Sequence, residues 1–349
     1  MLFASLTFNN MYEGKGHLQD ALIKAGLGQK TPDSPKSRGR EKPDQHEKRR
    51  GRDNIEEKER LEAARQEMAE LRKAERALHA YWEQRCEVLK KTGLPIRKED
   101  GRIDMDIYGR YASEGDIGRI YSDRRRHEHL RTVNDVQAQK EQDKRNWERE
   151  VPPELRSEYS AGENFEVLSL AILDKVLRNL CVILRGSYYD DDKNSADIVV
   201  FDRLSGEVIC IFDDIANQDQ KRERKAEKLT EINQERGGTT LTYGLTFDEL
   251  DKIRMTELNN IPVFYLSISP QRLKQIIKEF EPDSERLADS EKKFFAQAYH
   301  ELQAQVIELM EDYDLSSVLQ NNLEKFKTRI LNDPQLGKRV DEFDNIIAK

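Results

Sequence analysis

Between residues 160 and 270 the apolar positions change from a helical period to short runs typical of strands. Ser160 and Glu163 have the spacing of a capping box before an apolar stretch, which predicts a helix from about Ala161 to Asn179. A charged stretch that ends at a glycine pair predicts a second helix at 218–236. Strands are predicted at 181–188, 197–202, 207–213, 239–247 and 261–269. The order αβββαββ therefore indicates an α/β core with a mixed sheet.

The second and third of these strands are predicted to form a hairpin. The connection of residues 203–206 is short and contains a glycine, which is typical of an antiparallel turn. Because side chains alternate along a strand, Asp197 lies on the face of its strand that also carries Val199, and Asp213 lies on the face that carries Ile211. If these two faces coincide, a glutamate of the first helix can approach both aspartates.

The amino-terminal half has a heptad pattern rather than the pattern of a sheet. Apolar residues recur at helical spacing over residues 55–89, and the seam is interrupted by Glu75 and Arg85. Such a helix either dimerises as a coiled coil or folds back on a second helix at 122–150. The residues of the seam are Leu61, Ala64, Met68, Leu71, Leu78, Trp82 and Leu89.

Residues 30–52 contain nine lysines and arginines against four acids, together with three prolines. This composition predicts a disordered basic linker, which follows a short amphipathic helix at 17–27. The linker is either a solvated tether or a contact for backbone phosphates through residues such as Arg49 and Arg50. The densest basic cluster of the helical arm is Arg124, Arg125 and Arg126, which is the other candidate for nucleic-acid binding.

The carboxyl-terminal part is predicted to be helical after Pro270, with one apolar face and a further amphipathic helix at 315–331. The first face consists of Phe294, Ala298, Leu302, Val306 and Leu309. Four parts are therefore expected along the chain, and the third is expected to fold on its own. They are a short helix with the linker at 1–53, a helical arm at 54–150, the α/β core at 151–282 and the final helices at 283–349.

Composition narrows the class of protein. The net charge of −8 gives no support for nucleic-acid binding, so any such role depends on local basic patches. No apolar run approaches the roughly eighteen residues of a membrane span, and Met1–Phe8 lacks the features of a signal peptide. The three cysteines have no spacing typical of metal ligands, which indicates reduced thiols. A cytoplasmic protein without a membrane partner is expected.

The core sequence resembles a known superfamily. Gly162-Glu163-Asn164-Phe165-Glu166-Val167-Leu168, the strand Asp197-Ile198-Val199-Val200 and the strand Val208-Ile209-Cys210-Ile211-Phe212-Asp213 are similar to the core of the PD-(D/E)XK nucleases, particularly the restriction-endonuclease-like branch. The similarity spans roughly residues 160–270. The chain also resembles uncharacterised bacterial proteins with a similar Tyr-Asp-Asp, Gly-Glu-Val-Ile-Cys and Phe-Asp arrangement.

The resemblance implies a PD-(D/E)XK-like mixed sheet flanked by helices, with a Mg²⁺ or Mn²⁺ site at which phosphodiesters are hydrolysed. Hard cations prefer carboxylate oxygens from separate elements, which suits these acids. Glu166, Asp197 and Asp213 are the implied catalytic acids. Of the two helix glutamates, the Phe-Glu pairing favours Glu166 and the Gly-Glu pairing favours Glu163. The implied metal ligands are Glu163, Glu166, Asp197, Asp213 and Asp214.

One expected residue of the superfamily is absent at its usual place. The third strand of these nucleases carries an acid or glutamine, any residue and then lysine, whereas this chain has Asp213, Asp214 and Ile215. Lys221 or Lys225 of the next helix can act as a displaced substitute, and Lys221 is taken as the catalytic candidate. The polar run at 189–194 either holds a second cation or is a solvated turn.

Two functions are consistent with this sequence. The first is a divergent nuclease-like protein, active or inactive, that acts on or binds nucleic acid. The alternative is a non-catalytic scaffold that binds a protein partner, or a second copy of itself, through the α/β core and the coiled arm. The missing lysine and the acidic net charge favour the scaffold. The combination of Glu166, Asp197 and Asp213 favours the enzyme.

Overall fold

The computed structural model describes residues 43–106, 123–216, 219–247, 253–283, 286–312 and 314–347. Within these ranges the chain forms a mixed α/β fold of nine α-helices and six strands. The helices are α1 (Pro43–Lys91), α2 (Asp123–Glu150), α3 (Ala161–Leu177), α4 (Tyr188–Asn194), α5 (Asp219–Glu235), α6 (Pro270–Glu279), α7 (Asp289–Asp312), α8 (Ser317–Phe326) and α9 (Pro334–Ile347). The strands are β1 (Cys181–Arg185), β2 (Ile198–Asp202), β3 (Val208–Ile215), β4 (Thr239–Phe247), β5 (Ile253–Ile261) and β6 (Val263–Ser267).

The main sheet has four strands in the order β1-β2-β3-β6. Antiparallel pairs join β1 to β2 and β2 to β3, and the predicted hairpin is confirmed by the pairing of Val199 with Ile211. β6 runs parallel to β3, with Ile211 opposite Val263. The chain crosses over between these two strands through α5 and the β4–β5 pair, which forms a separate two-stranded sheet. The prediction of a mixed sheet is thus confirmed.

Two local predictions differ from the structure. Strand β5 was not predicted, and it pairs antiparallel with β4 outside the main sheet. The predicted first strand is too long, because the hydroxyl of Ser187 caps a helix, α4, by accepting a hydrogen bond from the Asp190 N–H. The fully buried Asp190 carboxylate then accepts hydrogen bonds from the backbone N–H groups of Thr242 and Tyr243 in β4. The run at 189–194, for which a second cation site and a solvated turn were both left open, is therefore part of a helix held by tertiary contacts.

The core lies on both faces of the main sheet. Helix α3 begins after its cap residue Ser160, as the capping box predicts. Its residues from Asn164 to Leu177 are all buried. On the other face, Val199 and Ile211 of the sheet belong to the same apolar cluster as Leu229 of α5. The predicted common face of the two hairpin strands is confirmed, and it puts Asp197 and Asp213 at the same end of one face.

The polar interruptions of the α1 heptad have partners on α3. Glu75 is 1% exposed and accepts a hydrogen bond from the side-chain amide of Asn164 at 2.8 Å. Arg85 forms an ion pair with Asp174, also at 2.8 Å. These residues are therefore matched to a neighbouring helix of the same chain, which is why they occur in an otherwise apolar seam.

Contacts divide the chain into two units that differ from the predicted parts. Among the described residues, those from 43 to 69 group with Pro153–Leu155, where Arg65 pairs with Glu154 at 2.9 Å. The described residues of 70–152 group with those of 156–349. The predicted boundary at 150 does not coincide with this division. Apolar residues of α1 and of the segment that follows it are buried in the core of the second unit. They are Leu71, Leu78, Trp82, Leu89, Leu94, Ile96 and Ile103.

The helices after residue 283 pack against the same core. All five residues of the predicted apolar face of α7 are buried. Lys175 of α3 and Glu291 of α7 form a buried ion pair at 2.8 Å, and the ammonium also lies over the ring of Phe280. The three cysteines are free and buried. Among the helices that the structure describes, none has both the length and the apolar character of a membrane span.

Three predictions fall at the edges of the described ranges. Helix α1 begins at Pro43, so the last part of the stretch expected as a linker is helical. The short helix predicted at 17–27 and the rest of the linker lie outside the described residues. The coiled-coil pairing of the arm stays a prediction.

Candidate metal centre

Three carboxylates from three different elements converge beside the edge of the main sheet. Glu166 lies in the second turn of α3, Asp191 lies in α4, and Asp197 immediately precedes β2. One oxygen from each lies within 4.8 Å of the other two. We call these three residues the acidic cluster. Glu166 and Asp197 were predicted to approach each other, and Asp191 joins them because α4 connects β1 to β2.

Two arginines donate hydrogen bonds to the carboxylate of Glu166. Arg185 at the end of β1 donates from Nε to Oε1 at 2.6 Å and from a terminal nitrogen to Oε2. Arg102 donates from Nη2 to Oε1 at 3.0 Å and to Oε2 at 3.3 Å. Arg102 also pairs with Asp191 at 2.9 Å. Both guanidinium groups are buried, with 5% and 7% of the side chain exposed.

Asp191 and Asp197 influence each other's charge, because a carboxyl oxygen of one lies within 4.8 Å of a carboxyl oxygen of the other. Burial, and then the charges of Asp191, Asp213 and Glu166, raise the pKa of Asp197 well above its usual value. Burial would raise the pKa of Asp191 as well, but the Arg102 guanidinium and the neighbouring Asp197 carboxyl lower it. The Oδ2 atom of Asp197 accepts the backbone N–H of Asp214 at 2.7 Å.

Lys225 lies beside Asp213, the third of the predicted catalytic acids. Nζ of Lys225, on α5, forms an ion pair with Oδ1 of Asp213, and it donates to the backbone oxygen of Asp214 at 3.2 Å. Burial would lower the pKa of Lys225, but the charges of Asp213 and Asp197 raise it above its usual value. Lys225 therefore carries its positive charge at the edge of the acidic cluster.

Asp214 points to the opposite side of β3, towards α3. Burial, and then the charges of Glu166 and Asp213, raise the pKa of Asp214 well above its usual value. Its two oxygens are buried and accept no hydrogen bond of ordinary geometry from the described residues, although the Ser169 hydroxyl is close enough to favour the ionised form weakly. Asp214 therefore belongs to the α3 interface rather than to the acidic cluster, and its surroundings disfavour the charged form of its carboxyl group.

The remaining predicted site residues are placed as follows. Glu163 is exposed on the first turn of α3 and is not part of the acidic cluster. Lys221 lies in α5, but its side chain is outside the description, as are the side chains of the five arginines proposed to bind nucleic acid. Those arginines lie in α1 (Arg49 and Arg50) and in α2 (Arg124, Arg125 and Arg126).

Three residues of the site were not assigned from the sequence, namely Asp191, Arg102 and Arg185. Asp191 belongs to the polar run for which a second cation site and a solvated turn were both left open, and the Ser187 cap three residues before Asp190 is the signal that predicts a helix there. Arg102 lies 64 residues before Glu166 and outside the expected core, and no local pattern indicates their contact. Arg185 ends the predicted strand β1, but nothing in the sequence indicates that it pairs with Glu166.

The composition of the site suits a hard divalent cation. Four carboxyl groups and three cationic side chains meet here, so full ionisation gives a net negative charge that a Mg²⁺ or Mn²⁺ ion would neutralise. The carboxyls belong to Glu166, Asp191, Asp197 and Asp213, and the cations to Arg102, Arg185 and Lys225. Two surface clefts, of about 540 and 480 Å³, are lined by other residues.

Comparisons of the chain with protein families, with curated proteins and with solved structures found no match. The functional interpretation therefore depends on the geometry and the electrostatics of the site.

Proposed function

We propose that the chain is a divergent nuclease of the PD-(D/E)XK type, a Mg²⁺- or Mn²⁺-dependent phosphodiesterase. The observation that carries this proposal is the convergence of Asp191 and Asp197 next to the Asp213–Lys225 ion pair. The charges of Asp191 and Asp213 help to raise the pKa of Asp197. A bound cation would relieve the same repulsion between these carboxylates.

Each residue has a distinct role in the proposed reaction. Asp191 and Asp197 would hold the cation, and Asp213 would hold Lys225 in place. A bound Mg²⁺ or Mn²⁺ supplies Lewis acidity to a phosphate oxygen and lowers the pKa of a water ligand. The Lys225 ammonium, kept charged by Asp213, would stabilise the negative charge that develops on the phosphate.

The order of the elements supports the relationship to the PD-(D/E)XK superfamily. Helix α3, the antiparallel strands β1 to β3, helix α5 and the parallel strand β6 follow one another, with α4 and the β4–β5 pair as additions. Asp197 and Asp213 occupy the strand ends that the resemblance assigned to catalytic acids. Under this proposal, Lys225 rather than Lys221 would take the place of the absent strand lysine, because Lys225 pairs with Asp213.

One observation favours the alternative of a non-catalytic scaffold. Each oxygen of Glu166 already accepts hydrogen bonds from both Arg102 and Arg185. A carboxylate oxygen with two donors has no lone pair left for a metal. In the scaffold, the arginines neutralise the acids permanently, and a protein partner or a second copy binds through the α/β core and the coiled arm.

Nucleic acid is the substrate or partner that the proposal implies. We expect its backbone phosphates to contact the basic ends of the long helices, at Arg49 and Arg50 in α1 and at Arg124 to Arg126 in α2. Such contacts release counterions, so affinity should fall steeply with salt. Replacing the two groups by glutamine should reduce both the affinity and its salt dependence. Unchanged affinity would leave nucleic-acid binding to other surfaces.

The proposed activity is tested with Asp197→Asn and Asp191→Asn in the full chain. Single- and double-stranded DNA and RNA are incubated with Mg²⁺ or Mn²⁺, and metal binding is measured by calorimetry. Asp197→Asn should lose metal binding and cleavage, and Asp191→Asn should bind the metal measurably more weakly and lose cleavage. The matched control is Asp192→Asn, which removes the same charge from an exposed neighbour that pairs with Lys193. Metal binding without cleavage by the wild type would indicate a degenerate nuclease, and the absence of both would favour the scaffold.

A further inference from the structure

Arg102 enters the acidic cluster from outside the α/β core. It belongs to the connecting segment, residues 92–106, which follows α1. Its Nη1 reaches Asp191 at 2.9 Å and the backbone oxygen of Gly186 at 3.2 Å, and its Nη2 reaches Glu166 at 3.0 Å. The guanidinium also lies over the ring of Tyr188 at 4.6 Å. Its donors are thus directed at protein groups, so Arg102 is built into the site rather than available to a phosphate.

The backbone of the connecting segment is fixed at this position. Gly101 has a φ of +75°, and a Cβ there would lie 2.8 Å from the Cys86 sulfur, so only glycine fits against α1. The indole N–H of Trp82 donates to the backbone oxygen of Asp100 at 2.9 Å. On the other side, the N–H of Arg185 donates to Gly101 O, and the N–H of Ile103 donates to Arg185 O. The segment therefore extends the edge of β1 and holds Arg102 rigidly.

This arrangement separates the acidic cluster into two functional parts. The four lone pairs of Glu166 are used by the two arginines, so Glu166 has none for a cation without displacing a buried guanidinium. Asp191 is bound by Arg102 through one oxygen, Oδ2. Asp191 and Asp197 are then the members of the cluster that can offer oxygens to a metal.

We infer that Arg102 is a positioning residue of the metal centre. Arg102, itself held by Glu166, orients Asp191 towards Asp197 so that the two aspartates bind the cation together. This inference rests on the proposed metal site and assigns Glu166 to the support of a ligand rather than to ligation. Groups that support metal ligands in this way typically change affinity by about 10- to 100-fold when they are removed.

If Arg102 competed with the metal instead of positioning Asp191, its removal would change the metal affinity in the opposite direction. If the guanidinium only competed with the metal for the carboxylates, its removal would leave more negative charge and tighten binding. If it orients Asp191, its removal weakens binding despite the added negative charge. Arg102→Gln therefore separates the two roles, with Arg102→Lys as a second variant that keeps the charge and loses the planar geometry.

The experiment measures Mn²⁺ affinity by calorimetry for the wild type, Arg102→Gln, Arg102→Lys, Asp191→Asn and the double variants. Melting temperatures identify any variant that does not fold. The relaxation of water protons by bound Mn²⁺ reports how many waters the ion keeps. The matched control is Arg97→Gln, because Arg97 lies on the same segment and over the same Tyr188 ring, at 5.2 Å, but is more exposed.

We expect both Arg102 variants to bind Mn²⁺ about 10-fold more weakly or worse, and to add a water to the ion, while Arg97→Gln binds as the wild type does. In the Asp191→Asn background the Arg102 substitutions should have no further effect. Tighter binding by Arg102→Gln, or an equal loss with and without Asp191, would overturn the inference while leaving the metal site intact. A wild type that binds no Mn²⁺ would instead remove the proposed function itself.

Discussion

Lys225 and Asp213 form an ion pair although they belong to different elements, α5 and β3. Ile215 occupies the position two residues after Asp213, where the PD-(D/E)XK nucleases that the core sequence resembles carry a lysine. The helix after the strand delivers the ammonium to the same carboxylate from another direction. The site therefore has a cation beside Asp213 without a lysine in the strand.

Lys225→Met should lower the cleavage rate by about 100-fold or more, while its Mn²⁺ affinity should be equal to that of the wild type or higher. The substitution removes the charge that would stabilise the phosphate but also removes a cation near the acids. Cleavage rates and calorimetric affinities measure the two effects separately. Lys228→Met is the control, since Lys228 is an exposed lysine one turn away whose Nζ lies 3.5 Å from the Ser195 hydroxyl. Equal losses in both variants would contradict a specific role for Lys225.

Asp197→Asn and Asp202→Asn, at opposite ends of β2, should change stability in opposite directions. At neutral pH and without metal, Asp197→Asn should raise the melting temperature, because the pKa of Asp197 is raised by burial and by neighbouring acids. Asp202 is paired with Arg329 and accepts the Ser205 N–H at 2.9 Å. Burial opposes the charge of Asp202, but these contacts lower its pKa, so its loss should cost about 1–2 kcal/mol.

Without metal the Asp197→Asn variant should be more stable than the wild type, and a divalent metal ion should reverse this difference in stability. At a Mn²⁺ concentration of about 100 times Kd, the wild type should gain about 2.7 kcal/mol and the variant should gain nothing. Denaturation with and without metal measures this difference. A variant that is stabilised by Mn²⁺ as strongly as the wild type would show that Asp197 is not a ligand.

A fragment of residues 151–349 should not fold stably, whereas a fragment of residues 70–349 should. The shorter fragment lacks Trp82 and Ile96, which are 1% and 0% exposed in the core. In the full chain, Trp82→Ala should cost about 3–5 kcal/mol. Val88→Ala, on the exposed side of the same helix, should cost less than about 0.5 kcal/mol. A cooperative unfolding transition of the shorter fragment would contradict the contacts and support an independent core.

His79 and His300 should make opposite contributions to the pH dependence of stability. Burial lowers the pKa of His79, which stacks on Tyr159 with ring centroids 3.5 Å apart. Its unfolded state takes up a proton more readily, so this contribution to stability is lost as the pH falls below about 6.5. The hydrogen bond with Asp344 raises the pKa of His300, so that contribution is present below about 6.5 and is lost as the pH rises through the raised value.

Denaturation at pH 5.5 and 7.5 measures the two histidine effects. Compared with His79→Gln, the wild type should lose stability on acidification. Compared with His300→Gln, it should gain stability. The same sign for both variants would mean that another group dominates the titration.

Local patterns in the sequence were enough to predict the hairpin and the helix that carry the candidate acids. The Ser160 capping box set the start of α3, and the alternation of residues put Asp197 and Asp213 on one face, because both rules depend on neighbours in sequence. The apolar face of α7 followed from its period for the same reason. These elements are specified by short-range chemistry.

Tertiary structure decided which polar groups complete the site. Asp190 is held by backbone N–H groups of β4, more than fifty residues away, and this contact turns the polar run into the helix that presents Asp191. Arg102 reaches Glu166 because Gly101 fits against α1 and the segment pairs with β1. The partner of Asp213 was likewise set by how α5 packs on the sheet. Such contacts depend on the packing of distant elements, and neither spacing nor periodicity along the chain encodes them locally.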